Sequence, residues 1–235
     1  MYTICMTTLS NDQIQQLNNY SVFTQPNGAT LFHGNSISHA LPIIRLISSA
    51  PNDPIAASFF MRRVGMFISM QFYMMTMYDE IWDGPLDQLQ FFGATEYGNK
   101  TISIYIPVEY FRDVQENRAE DVQLVWEQQC FYMIEQLRSQ CSVSPLTLWE
   151  NVFGYLLWHY YLFLENPALE EKARYDWNLL QEPSIWQAFT SKDYLRSYLN
   201  GRNPVELMNT TVRTTCCFSK DIPGLQKCGF CPRDK

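Results

Sequence analysis

The chain has 235 residues, of which 46% are hydrophobic, 15% aromatic and only 17% charged, enough apolar material to bury one core and to exclude disorder except at the ends. Its formal net charge of −7 excludes the basic footprint that nucleic-acid binding requires. No G-x-S-x-G, P-loop or G-x-G-x-x-G is present, and neither internal repeats nor low-complexity tracts occur.

The opening Met-Tyr-Thr-Ile-Cys-Met has no Lys or Arg before its short apolar run, so it lacks the charged start of a secretory signal. The expected location is the cytoplasm, with peripheral contact at the inner membrane left open. Cys5, Cys130 and Cys141 lie far apart and read as lone structural thiols of a reducing compartment.

Ser10, Asn11 and Asp12 offer caps for a short helix reaching Asn18. Residues 20–24 and 30–33 flank Pro26-Asn27-Gly28 and predict a hairpin. A histidine metal site would need His33, His39 and His159 to converge, which a bend between the first two disfavours.

Residues 55–78 predict a long helix, apolar almost all round, which suits either the centre of a domain or a membrane span. Arg62 and Arg63 inside it point to the former. Both guanidiniums need partners: an internal carboxylate such as Asp79 or Glu80, or an anionic ligand. The methionines between Met61 and Met77 suggest adaptable packing rather than copper ligation.

After Asp83-Gly84-Pro85, residues 89–106 predict a second hairpin turning at Gly98-Asn99, with Ile102, Ile104 and Ile106 on one face. A helix over 120–140 follows, with Val122, Val125, Trp126, Cys130, Met133 and Leu137 as its buried stripe. Ser144-Pro145 starts an aromatic-rich helix over 146–165 that should be central. Its least apolar face carries Glu150, Asn151, Gly154, Trp158, Tyr161 and Glu165. Gly154 there serves a helix crossing or the close approach of a ligand, the crossing being preferred. Asn166-Pro167 closes this helix, short helices pass Trp177 and Trp186, and Pro204 opens an extended run.

That run reaches four of the seven cysteines: Cys216 and Cys217 adjacent, ten residues, then Cys228 and Cys231 as C-x-x-C around Gly229. Four such thiolates suit either a tetrahedral Zn²⁺ or an iron-sulfur cluster. Adjacent Cα atoms lie about 3.8 Å apart and side chains alternate in a strand, so the backbone must bend there to share one cofactor. A two-iron cluster is the broader target. From Asn200 onward six Lys/Arg face three Asp/Glu, a positive tail on an acidic chain that would offset thiolate charge and attract anions.

The spacing C-C-x10-C-x2-C, with Arg213 and Thr215 before it and Pro223 inside the loop, resembles the FhuF-like ferric-siderophore reductases over roughly the last twenty residues. A looser likeness takes in Trp149, Asn151 and Tyr155 upstream. Lys220 stands where members often carry an aromatic.

The resemblance implies a [2Fe-2S] cluster on Cys216, Cys217, Cys228 and Cys231 and an oxidoreductase that reduces a ferric siderophore by one electron to release Fe(II). The siderophore would be of the hydroxamate or hydroxycarboxylate class. An electron-donor protein or small reductant is then needed, because nothing here recognises NAD(P)H or flavin. Arg62, Arg63 and Trp158 are the substrate-binding candidates, and N–H groups of the Pro223-Gly224 turn and near Gly229 are candidate donors to sulfur. The expected fold is α+β and helix-dominated, with residues 1–203 as the reductase-like domain and 204–235 as the cluster-binding module. The competing reading is a zinc-stabilised module that binds a siderophore or protein without redox work.

Overall fold

A computed structural model describes residues 9–26 and 28–232 of the chain, so Cys5 and Asn27 lie outside the described residues. Helix α1 (Asn11–Asn19) starts at a capping box: the Ser10 hydroxyl accepts from the Gln13 N–H, and Gln13 Oε1 accepts from the Ser10 N–H. Strands β1 (Val22–Phe23) and β2 (Thr30–His33) follow, but they do not pair with each other. After a 3₁₀ turn (Gly34–His39) come α2 (Leu41–Ser48) and the long α3 (Asp53–Tyr78), capped by Asn52.

Next are β3 (Glu80–Trp82), β4 (Gln90–Glu96), β5 (Asn99–Tyr105) and β6 (Phe111–Asp113). The main sheet runs β1-β5-β4-β2, with β1 parallel to β5 and β2 antiparallel to β4. The hairpin β4–β5 explains why the first expected hairpin fails. Tyr97 and Gly98 both have positive φ, 51° and 78°, the backbone that a two-residue hairpin turn demands. The ladder they close buries Phe91, Ile102 and Ile104 and offers an edge to each of the short early strands. Strands β3 and β6 make a separate pair that three-residue patterns did not announce.

One continuous helical stretch then runs through α4 (Arg118–Gln123), a π-helical segment (Leu124–Phe131) and α5 (Tyr132–Arg138). Its stripe is buried as its spacing predicted, from Val122 to Leu137. Helix α6 (Pro145–Leu164) starts at Ser144-Pro145 and packs along α3 at the centre. The remaining helices are α7 (Glu170–Leu180), α8 (Pro183–Gln187), α9 (Tyr194–Leu199) and α10 (Pro204–Leu207). Pro204 therefore opens a short helix, fixed by a capping box between Asn203 and Glu206, and the extended run begins after it. The fold is a helix-dominated α+β one.

Helix α3 is buried on nearly every side, and no helix among the described residues is long and apolar enough to cross a membrane. Its two arginines do not meet Asp79 or Glu80. Sixteen residues of helix separate Arg63 from Asp79, about 24 Å at 1.5 Å per residue. Arg63 instead donates to Glu96 Oε1 at 2.7 Å and to the Ile102 carbonyl at 2.7 Å. Arg62 donates to Ser219 Oγ and sits 5.7 Å from the Phe59 ring centre. Asp79 serves Arg118 and Lys172, and Glu80 accepts from Gln13.

The glycine that lets α3 and α6 cross is Gly65, not Gly154. A Cβ on Gly65 would lie 2.9 Å from both the Asn151 carbonyl oxygen and Val152 Cα, which are backbone atoms and cannot step aside. A Cβ on Gly154 would meet only the Phe230 ring, at an ordinary 3.6 Å. Gly65→Ala is therefore expected to lower stability by about 1–3 kcal/mol through overpacking. Gly154→Ala should hold or gain up to about 1 kcal/mol from helix propensity. Urea midpoints of the two variants, compared at equal slope, check the contrast.

His159 lies largely buried, 4.6 Å from the Tyr20 ring centre and 5.9 Å from that of Tyr73. Its Nδ1–H donates to the Tyr155 carbonyl at 2.8 Å. Burial pushes its pKa down to about 4, against an ordinary value near 6.5, with the Tyr155 hydrogen bond opposing. Between those two values the unfolded chain binds the proton and the folded one does not, so stability falls as pH falls from 6.5 to 4. The effect is on the order of 3 kcal/mol when complete. His159→Phe should remove that part of the acid dependence in urea titrations at pH 7 and pH 4.5.

Candidate functional site

The extended stretch after α10 crosses the face of α6 that the helical wheel marks as least apolar. There the buried Arg213 donates from Nη1 to the Glu150 carbonyl at 3.0 Å and to Asn151 Oδ1 at 2.8 Å. The Glu150 carboxylate, with Oε2 3.8 Å from Arg213 Nε, accepts from both the N–H and the hydroxyl of Thr214, at 2.8 and 2.7 Å. Its second oxygen accepts from the Thr215 N–H at 2.9 Å and from the Thr215 hydroxyl. Asn151 Nδ2 donates to the carbonyl and hydroxyl oxygens of Ser58 on α3, and the Ser58 hydroxyl donates to the Cys217 carbonyl at 2.8 Å. Residues 213–217 are thus tied to two helices at once.

Just past the adjacent cysteines the chain bends. Phe218 has φ 59°, a left-handed backbone that reverses direction and brings its N–H to Cys216 Sγ at 3.4 Å. Gly224, also left-handed, carries the loop past Asn99 in the β4–β5 turn. The C-x-x-C closes on a turn in which the Cys231 N–H donates to the Cys228 carbonyl at 3.2 Å. Cys217 and Cys231 are buried, and Cys216 and Cys228 are half-buried.

Cys217 and Cys228 lie near enough to set each other's protonation. The Cys228 side chain, with the Ser219 backbone and hydroxyl and the Arg213 charge, pulls the Cys217 thiol down to about 4 despite its burial. The same interaction holds the Cys228 proton on, and the Phe230 N–H works weakly against it. The Phe218 N–H lies at the Cys216 sulfur, while the Ser219 and Phe230 backbone N–H groups favour the charged forms of Cys217 and Cys228; the Pro223-Gly224 turn faces Asn99.

Four soft sulfur donors with polarising N–H groups suit iron or zinc chemically. Among the described residues, however, no group of three or more His, Cys, Asp or Glu side chains is gathered closely enough to hold a metal ion, the three histidines included.

A cleft of about 370 Å³ opens beside Cys228, and Arg62, Tyr155, Trp158, Lys227 and Phe230 are among its walls. Two of the three expected substrate residues, Arg62 and Trp158, are therefore brought together with a cysteine of the motif. Arg63 is not, being committed to Glu96 and the sheet. The sequence did not single out Ser58 or Ser219, and it named Glu150 and Arg213 without pairing them. Glu150 was visible only as a polar position on an otherwise apolar helix, and Asn151 as that and as part of the looser likeness upstream of the cysteines. Comparison with protein-family models gives no match, and no curated protein gives a significant one.

Removing the Glu150 carboxylate would leave the Arg213 guanidinium buried without its anion, a loss of about 3–5 kcal/mol. Glu150→Ala should accordingly open residues 213–217 and make Arg213 a rapid trypsin site in limited digestion. Digestion at the unmutated rate would show that the segment is held by something else.

Proposed function

We propose that the protein is a ferric-siderophore reductase, moving one electron at a time to Fe(III) through a [2Fe-2S] cluster on Cys216, Cys217, Cys228 and Cys231. The observation that carries the reading is that Cys228 belongs both to the thiol pair and to the wall of the cleft. An electron leaving these sulfurs would have only a short way to go to a bound chelate.

The cluster, when bound, supplies the single electron. The chain's own residues do the rest. Arg213 and the N–H groups of Phe218, Ser219 and Phe230 place positive potential against the sulfurs, which favours the thiolate form that ligation needs. Arg62 and Trp158 hold the chelate alongside.

Siderophores grip Fe(III) through hard anionic oxygens, and one added electron lowers the charge on the metal and weakens those bonds. Reduction is then the release step, with no covalent bond in the ligand broken. The electron must be replaced by a donor protein or a small reductant. The setting that fits is the cytoplasm, where Cys130, fully buried in the core, and Cys141 beside it remain free thiols.

Protein purified without oxygen should be red-brown, contain about two iron and two sulfide per chain, and become paramagnetic on one-electron reduction. Cys217→Ser should lose the colour and abolish Fe(II) release from a ferric siderophore, followed with a ferrous chelator. A colourless protein with one zinc per chain, or unchanged turnover in the variant, would replace the reductase with a passive binding module.

A further inference from the structure

The cleft beside Cys228 has a chemical character that narrows its ligand. Resting on the reductase reading above, we infer that it takes an anionic catecholate complex of the ferric ion, in preference to a hydroxamate or a hydroxycarboxylate.

Charge is the first ground. Arg62, Lys227 and Arg213 line the cleft, and among the described residues no Asp or Glu does, in a chain whose net charge is −7. Arg213 is spoken for by Asn151 and Glu150. Arg62 is not fully used: its Nη1 reaches Ser219, but its Nε is buried without a hydrogen-bond partner. A buried N–H of a charged group left without an acceptor is costly, and an anionic oxygen at the cleft wall would remove that cost.

Aromatic surface is the second ground. Trp158 is 49% exposed, while every other tryptophan in the chain is at most 5% exposed. It stands at the cleft with Tyr155 on the same helix face, and Phe230 also lines the cleft. Phe230 lies over α6 at Gly154, where an added Cβ would sit at an ordinary 3.6 Å from its ring. At about 370 Å³ the cleft is within the usual range for small-molecule sites, roughly 300–1,000 Å³.

These two grounds separate the chelate classes. A neutral ferric trihydroxamate has neither the charge nor the rings. Ferric citrate has the charge alone. A ferric tris-catecholate stays anionic, because its dianionic arms outweigh the metal, and it presents electron-rich ring faces to guanidinium and indole.

The test uses Ga(III), which matches Fe(III) in charge but does not accept the electron, so binding is read apart from reduction. Calorimetric titration of the whole protein with Ga(III) tris-catecholate should give an affinity at least tenfold above those for a Ga(III) trihydroxamate and for Ga(III) citrate. Trp158→Ala and Arg62→Gln should each weaken the catecholate about tenfold. Because Trp158 is exposed, its truncation leaves the fold intact and keeps the test open even if the Arg62 variant folds poorly. Equal or tighter binding of the hydroxamate or citrate complex, or undiminished catecholate binding in Trp158→Ala, overturns the assignment. Catecholate preference in a protein that carries no iron would keep the cleft and remove the reductase. A red-brown protein without that preference would do the reverse.

Discussion

Residues 213–217 owe their position to a buried charge pair. Arg213 and Glu150 are both almost fully enclosed, and each ion loses several kcal/mol of hydration on burial. Such a pair is therefore weak evidence for net stability and better evidence for a fixed arrangement. Glu150 accepts four hydrogen bonds, two from backbone N–H groups, and these specify where Thr214 and Thr215 sit. Shifting the segment by one residue would exchange donors for side chains on the opposite face and leave both charges unpaired. The adjacent cysteines inherit that register directly. Cys228 and Cys231 inherit it at second hand, through the nearness of Cys228 to Cys217 and the seating of Phe230 over Gly154.

Helix α3 joins this segment to the rest of the molecule. Neighbouring residues on a helix point about 100° apart, so Arg62 and Arg63 look in different directions although they are adjacent in sequence. One reaches Ser219 next to the thiols, and the other reaches Glu96 at the end of the β4–β5 hairpin. Three residues further on, Gly65 lets the α6 backbone come close enough for Asn151 to bond Ser58. The sheet, the helix pair and the cysteine loop are thus registered against a single rod.

Features governed by near neighbours were legible in the sequence. The Ser10 cap, the Ser144-Pro145 start, the buried stripe from Val122 to Leu137 and the hairpin of β4 and β5 all follow from spacings of a few residues. Errors arose where distant segments compete. β1 and β2 were offered a better edge than each other, and Arg62 and Arg63 found partners across the fold. Gly65 and Gly154 could not be told apart without knowing which elements crossed. The Asn203–Glu206 capping box was local and readable, yet Pro204 drew attention to extension instead. At the site, the cysteine spacing named the sulfurs, while the polar positions Glu150 and Asn151 gave a face without a partner. Their partner lies more than sixty residues on, at Arg213, and no periodicity records such a distance.

The charge distribution shows how far net charge misleads at a site. Counted along the chain, the C-terminal stretch is basic, but Arg213 is cancelled by Glu150 and Lys220 by Asp221 at 3.2 Å. Arg62, supplied by α3, is the cation there whose Nε is buried without a hydrogen-bond partner. Local placement therefore decides the field, in a region where low-dielectric walls magnify each charge. A cation beside the sulfurs stabilises an added electron as readily as it attracts an anion. The same arginine that would draw a ferric chelate to Cys228 would also raise the potential of a one-electron centre there, opposing the thiolates' tendency to lower it. On the proposed reading, binding and electron affinity at this place would be coupled through one side chain, and a change at Arg62 would move both.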